Sequence, residues 1–140
     1  MKQNDLLMIS FDLKKDYKTI QLAYNDPQGV SEEFEMNILH RINEELGGNF
    51  DLDQFFFHSY LDSYEGCIKN FLLSKIEQDV AIDSIGESFH FEAFEPILVE
   101  ESHKFSIKEI EKMAQRCGYT IANNFYDERK YVVSSLWRKP

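Results

Sequence analysis

The stretch Ile97-Leu98-Val99-Glu100-Glu101-Ser102-His103-Lys104-Phe105 guides the interpretation of the whole chain. Its three aliphatic residues predict a short strand, and carboxylate, hydroxyl, imidazole and amine groups follow at once. Ser106 then opens a predicted helix. Because α/β folds place ligand contacts at the ends of strands, this stretch is a candidate binding site. The alternative is a solvated turn between a strand and a helix.

The composition excludes several classes of protein. The chain has 140 residues and a net charge of −10, which disfavours nucleic acid and anionic membrane surfaces as partners. Twelve Phe and seven Tyr favour a sheet-rich core. The length suits one ordinary domain or part of a larger one. No apolar run approaches a membrane span and no signal peptide starts at Met1, so we expect a cytoplasmic location.

The first third of the chain predicts one strand and two helices. Leu6 to Phe11 is nearly all apolar, which is typical of a strand buried on both faces of a parallel sheet. Asp16 to Tyr24 suits a helix. Ser31 is expected to cap a longer helix that ends at Gly47-Gly48. The apolar face predicted for this second helix consists of Phe34, Ile38, Ile42 and Leu46.

The rest of the chain predicts closely spaced strands and then a return to helix and strand. From Phe55 to Val99 the spacing favours antiparallel pairing. Ser106 and Glu109 form a capping box for a helix. Two further strands are expected at 119–125 and 131–136. The pattern as a whole is that of an α/β protein.

Neither cysteine pattern nor histidine spacing indicates a metal. Cys67 and Cys117 are far apart and are interpreted as small buried hydrophobic residues. His90, His103, Glu100 and Glu101 cluster in the sequence but match no familiar ligand spacing, so no metal-binding residue is assigned.

Several segments together resemble the histidine-specific, S-adenosylmethionine (SAM)-dependent methyltransferase family. Its best-known members trimethylate the α-amine of histidine on the way to ergothioneine. The segments occur in family order and cover nearly the whole chain. They are Leu6–Asp16, Ala23–Asp26, Gly29–Ser31, Asn37–Leu39, Arg41–Gly48, Phe50–Asp53, Glu95, Glu100–Phe105 and Tyr126–Asp127.

The resemblance implies a fold in two parts. Residues 1–14 and 105–140 would belong to the C-terminal part of a class I (Rossmann-like) methyltransferase sheet. Residues 15–104 would form an inserted α+β antiparallel substrate-binding domain. The family's glycine-rich cofactor loop corresponds to sequence upstream of this chain, so SAM is implied as cofactor but no cofactor-binding residue is assigned. An N-terminal half is therefore a possible missing partner.

The resemblance also implies roles for individual residues. Tyr24 stands where the family holds the amino-acid head group, and Glu100 and Ser102 stand where it holds the imidazole ring. Asn70 occupies the place of a methionine beside that ring, and Glu35 replaces a common asparagine. No catalytic residue is assigned, because methyl transfer from a sulfonium is mostly positioning and desolvation.

These residues leave three functions open. The first is the C-terminal portion of an N-methyltransferase that acts on the α-amine of histidine or a similar amino acid. The alternative is a catalytically inactive remnant, or an amino-acid-binding module, without the cofactor half. An indole substrate is the third possibility, and Glu100 and Ser102 favour imidazole over it because imidazole offers a donor and an acceptor on opposite edges. The partner expected in each case is a small amino acid.

Overall fold

A computed structural model of the chain describes residues 2–140 and divides them into two compact units. Unit 1 comprises the residues up to Asp16, Ser63–Cys67 and the residues from His103 onward. Unit 2 comprises Tyr17–Asp62 and Ile68–Ser102. The elements are β1 (Leu6–Asp12), α1 (Tyr17–Tyr24), α2 (Val30–Leu46), a 3₁₀ turn (Leu52–Gln54), β2 (Phe55–Asp62), β3 (Cys67–Ser74), β4 (Gln78–Ile82), β5 (Glu87–Phe91), β6 (Pro96–His103), α3 (Ile107–Arg116), β7 (Thr120–Tyr126) and β8 (Val132–Arg138).

Unit 1 is a three-stranded sheet in the order β1-β8-β7 with α3 in its core. Both ladders are antiparallel, with Phe11 opposite Val133 in the first. The predicted capping box at the start of α3 is confirmed, since Ser106 and Glu109 satisfy each other's backbone N–H groups. The buried core of the unit consists of Phe11, Leu13, Ile110, Ala114, Val133 and Trp137.

Strand β1 differs from the prediction of a strand buried on both faces of a parallel sheet. Its ladder with β8 is antiparallel, and it lies at an edge of the sheet among the described residues. Leu7 and Ile9 pack against the core of unit 1, whereas Leu6 and Met8 are exposed. Within the described residues, only the face of β1 that carries Leu7 and Ile9 is covered by other side chains.

Unit 2 combines helices α1 and α2 with the sheet β2-β3-β6 and the antiparallel hairpin β4-β5. The predicted strands between Phe55 and Val99 are confirmed, and Asp51 caps the 3₁₀ turn that precedes them. The buried core of unit 2 consists of Leu39, Phe50, Phe55, Leu72, Val80 and Ile82. With antiparallel ladders in both units, the chain is a mixed α/β protein.

The inward face of helix α2 matches its predicted apolar face only in part. Ile42 packs against the core of unit 2 as predicted. Phe34, Ile38 and Leu46 are exposed, and the buried residues are Glu35 and Leu39. The prediction was wrong for these three residues because a buried carboxylate with a hydrogen-bond partner took a place that periodicity reserves for an apolar side chain.

The start of α2 also differs from the prediction, because Ser31 is not the N-cap. The N-cap is Gly29, whose φ of 75° suits glycine, and the carboxylate of Asp26 accepts hydrogen bonds from the Val30 and Ser31 N–H groups. These hydrogen bonds lower the pKa of Asp26 to about 2. The predicted stop at Gly47 is confirmed by its positive φ of 66°.

The two cysteines have different environments. Cys67 is buried, as predicted, whereas Cys117 is exposed at the C-terminal end of α3, so its predicted burial was wrong. Both are free thiols. No helix in the described part of the chain has the length and apolar content needed to cross a membrane.

Candidate functional site

Unit 2 contains a cavity of about 300 Å³ whose wall joins two helices and two strands. The end of α1, the first turns of α2, β3 and β6 each contribute to it. Asp26 lies in the turn between the two helices. Its carboxylate accepts hydrogen bonds from the first N–H groups of α2, and this fixes the start of that helix at the cavity rim. The lining residues are Ala23, Tyr24, Val30, Ser31, Phe34, Glu35, Asn70 and Glu100.

The hydroxyl of Tyr24 connects α1 to β6. It donates a hydrogen bond of 2.6 Å to Ser102 Oγ. Tyr24 is the last residue of α1, and both side chains are partly buried. The contact positions the tyrosine hydroxyl beside the strand that also provides Glu100.

Asn70 is the most buried side chain of the cavity wall, with 1% of its surface exposed. Its amide nitrogen donates to Glu35 Oε1 at 2.8 Å and to Glu100 Oε2 at 2.7 Å. An amide has two N–H donors, and here each meets a carboxylate from a different element. Asn70 therefore holds two acidic side chains close together.

The proximity of the two carboxylates changes the acidity of Glu35. Burial raises the pKa of Glu35 most, the hydrogen bond from Asn70 lowers it, and the hydrogen bond and charge of Glu100 raise it again, with a net upward shift. The pKa of Glu35 therefore lies above that of an exposed glutamate.

Glu101 belongs to a different environment from Glu100. Successive side chains of a strand point to opposite faces, and Glu101 is exposed, with its Oε1 3.8 Å from Lys69 Nζ. Glu100 and Ser102 instead make their contacts with Asn70 and Tyr24. Strand alternation therefore places Glu100 and Ser102 on one face of β6 and Glu101 on the other.

The structure brings the four predicted site residues into one region of unit 2. Tyr24, Asn70 and Glu100 line the cavity, and Ser102 contacts Tyr24. The residue that sequence analysis missed as part of the site is Glu35. Its spacing from Leu39 and Ile42, four and seven positions along the helix, was the available signal, since that row is the buried face of α2.

Taken together, the structure is that of a mixed α/β protein with a cavity in unit 2 whose wall carries Tyr24, Glu35, Asn70 and Glu100. A family model described as histidine-specific, SAM-dependent methyltransferase matches residues 1–139, and the chain belongs to this family.

Curated relatives agree with this family. The chain is 36% identical to a histidine N-alpha-methyltransferase of Mycobacterium tuberculosis, over 75% of this chain and 33% of the relative. It is 34% identical to the protein of that name from Mycolicibacterium smegmatis, with the same coverage. It is 32% identical to ergothioneine biosynthesis protein 1 of Schizosaccharomyces pombe, over 94% of this chain and 17% of the relative. The chain thus spans about a third or less of the length of these proteins.

The residues described here do not fit the SAM cofactor that the family implies. Dinucleotide and SAM sites of Rossmann-like folds need glycines after a strand, where the backbone must come close to the ligand. The connections that lead from a strand into a helix, 13–16 and 104–106, contain no glycine. Lys104 in the second of them is buried, with its Nζ 3.2 Å from Asp12. No cofactor contact is assigned to these residues.

Proposed function

We propose that the chain is the substrate-binding portion of a SAM-dependent N-methyltransferase that acts on the α-amine of histidine or a similar amino acid. The observation that carries the proposal is the convergence of Tyr24, Glu100 and Ser102, which come from two distant segments of the family match. Their side chains supply the donors and acceptors that an amino acid needs.

The chemistry of the site suits an imidazole ring. Imidazole presents an N–H and a bare nitrogen on opposite edges, so a carboxylate and a hydroxyl serve both. In the proposed complex Glu100 accepts from the ring, Ser102 contacts its other edge, and Tyr24 contacts the amino-acid head group. A side chain without an N–H would leave Glu100 unpaired in a partly buried place, and this cost favours imidazole.

The proposal extends to the domain organisation. Residues 15–104 would be a substrate-binding insertion, and residues 1–14 and 105–140 the C-terminal part of a class I methyltransferase sheet. The boundaries of the two compact units at Asp16 and His103 support this division, although Ser63–Cys67 of the proposed insertion belongs to unit 1. A cytoplasmic location remains a prediction.

A second candidate function is an amino-acid-binding module without activity. The glycine-free connections between strands and helices favour it, because they offer no cofactor contact. Methyl transfer requires two bound partners in line, so residues that position one of them act only together with a cofactor-binding segment.

Calorimetric titration of the purified chain with L-histidine tests the proposal. We expect saturable binding of histidine and much weaker binding of L-alanine, which has the same head group but no ring. Titration with SAM should give no binding in the micromolar range. Equal heats for histidine and alanine, or none for either, would contradict the proposed site.

A further inference from the structure

Two carboxylates and one amide form the inner end of the cavity in unit 2. Glu35 is 6% exposed, although a glutamate is rarely buried without a charged partner. Asn70 donates a hydrogen bond to it and another to Glu100, so the two carboxylates lie side by side. The family resemblance assigns no such pair, and the proposed imidazole contacts need only Glu100 and Ser102.

Asn70 fixes the position of both carboxylates. The amide orientation is set, because its nitrogen donates to Glu35 and to Glu100. Its Oδ1 is buried and has no hydrogen-bond partner among residues 2–140. The two carboxylates are therefore held together in the cavity wall by a neutral group, and no opposite charge from the lining residues balances them.

The charges around the cavity show which ligand suits it. Its titratable lining groups are Glu35 from α2, Glu100 from β6 and the Tyr24 phenol from α1, while β3 contributes the uncharged Asn70. None of the lining residues is cationic. One amide holds both carboxylates, and like charges held close together repel each other. A cationic ligand would supply the opposite charge that the lining residues lack, and it would displace the proton that the raised pKa of Glu35 favours.

We propose that this cavity prefers side chains with a planar cation that donates N–H groups on two edges, imidazolium or guanidinium, and that Glu35 determines this preference. The inference rests on the proposed function, because it takes the cavity to be the side-chain pocket. A neutral indole has a single N–H and leaves the carboxylate pair uncompensated.

Calorimetry of the full chain with L-histidine, L-arginine and L-tryptophan tests the inference, because the three share one head group. Titrations between about pH 5 and about pH 8, in buffers of low and high ionisation enthalpy, also count the protons released. Arginine stays charged throughout, so its affinity should rise with pH through the raised pKa of Glu35, with a proton released at the acid end. Histidine affinity should rise and then fall as the imidazole loses its own proton.

The variant Glu35→Gln keeps the shape and removes the charge, and Glu33→Gln removes an exposed charge from the same helix turn. We expect Glu35→Gln to lose about tenfold to a hundredfold in arginine affinity and to lose the proton release, while Glu33→Gln behaves as wild type. If the wild-type chain bound histidine no better than tryptophan and released no proton, this inference would be wrong while the proposed function would stand. Absence of binding by all three amino acids would overturn the proposed function as well.

Discussion

The Tyr24 hydroxyl lies 2.6 Å from Ser102 Oγ, although the two residues are 78 positions apart in the sequence. The contact holds the end of α1 against β6 in unit 2. Both residues lie within the range that the family model matches, and Tyr24 also lines the cavity of unit 2. In the proposed amino-acid site this contact would fix the position of the Tyr24 hydroxyl before a ligand binds.

Removal of the Tyr24 hydroxyl should weaken amino-acid binding while the fold persists. We expect Tyr24→Phe to reduce histidine affinity about threefold to tenfold, because one hydrogen bond of ordinary strength is lost. Tyr17→Phe is the matched control, since Tyr17 lies on the same helix and is exposed. Calorimetry measures both affinities. Equal loss in the two variants would show that the effect does not come from the cavity.

The orientation of α2 gives a prediction about stability. Leu39→Ala should lower the free energy of unfolding by about 2–5 kcal/mol, because Leu39 is buried in the core of unit 2. Phe34→Ala should change it by less than about 0.5 kcal/mol, because Phe34 is exposed. Urea denaturation measures both values. If Phe34→Ala lowered the free energy of unfolding more than Leu39→Ala did, the face of α2 that periodicity predicts would be the buried one.

Most elements of the fold were predictable, because each carries local signals. The capping box of Ser106 and Glu109 and the stop at Gly47 are short-range hydrogen-bond and backbone effects, and both appear in the structure. The exposure of β1 was not predictable, since an apolar run shows that a strand forms but not what covers its faces.

The site was predictable only in part. The register that puts Glu100 beside Ser102 follows from strand alternation alone. Glu35 was missed although its spacing from Leu39 placed it on the buried row of α2, because a carboxylate is expected to face solvent unless a partner is known. That partner, Asn70, is 35 positions away in the sequence. Helical periodicity shows which positions face inward, and tertiary contacts decide whether a polar side chain is buried there.

The Asp26 carboxylate should stabilise the chain in a pH-dependent way. It accepts two backbone N–H groups at the start of α2, so Asp26→Ala should lower the melting temperature by about 2–4 °C at neutral pH. Its pKa is about 2 in the folded chain against an ordinary 3.8, so the stabilisation is complete above 3.8 and disappears as pH falls toward 2.

Thermal melts at several pH values test this pH dependence. They compare wild type, Asp26→Ala and the control Glu128→Gln. The difference in melting temperature between wild type and Asp26→Ala should narrow as the solution is acidified. A gap that stays constant from neutral to acid pH would contradict the assignment of Asp26 as an ionised cap.

The open face of β1 should promote self-association. Leu6 and Met8 are exposed on a strand that lies at an edge of its sheet in the described residues. We expect sedimentation velocity to show larger species as concentration rises, and Met8→Lys to reduce them. Leu22→Lys, a change of an exposed residue on α1, is the control. A monodisperse wild-type monomer at all concentrations would contradict this prediction.

The most direct test of the amino-acid site compares Glu100→Ala with Glu101→Ala in one methylation assay. The chain would replace the segment that it matches in the histidine N-alpha-methyltransferase of Mycolicibacterium smegmatis, and kcat/KM for histidine would be measured. Glu100 faces the cavity and Glu101 contacts Lys69, so we predict a loss of about tenfold to a hundredfold for Glu100→Ala and little change for Glu101→Ala. A damaging Glu101→Ala together with a silent Glu100→Ala would contradict the assignment of this cavity as the substrate site.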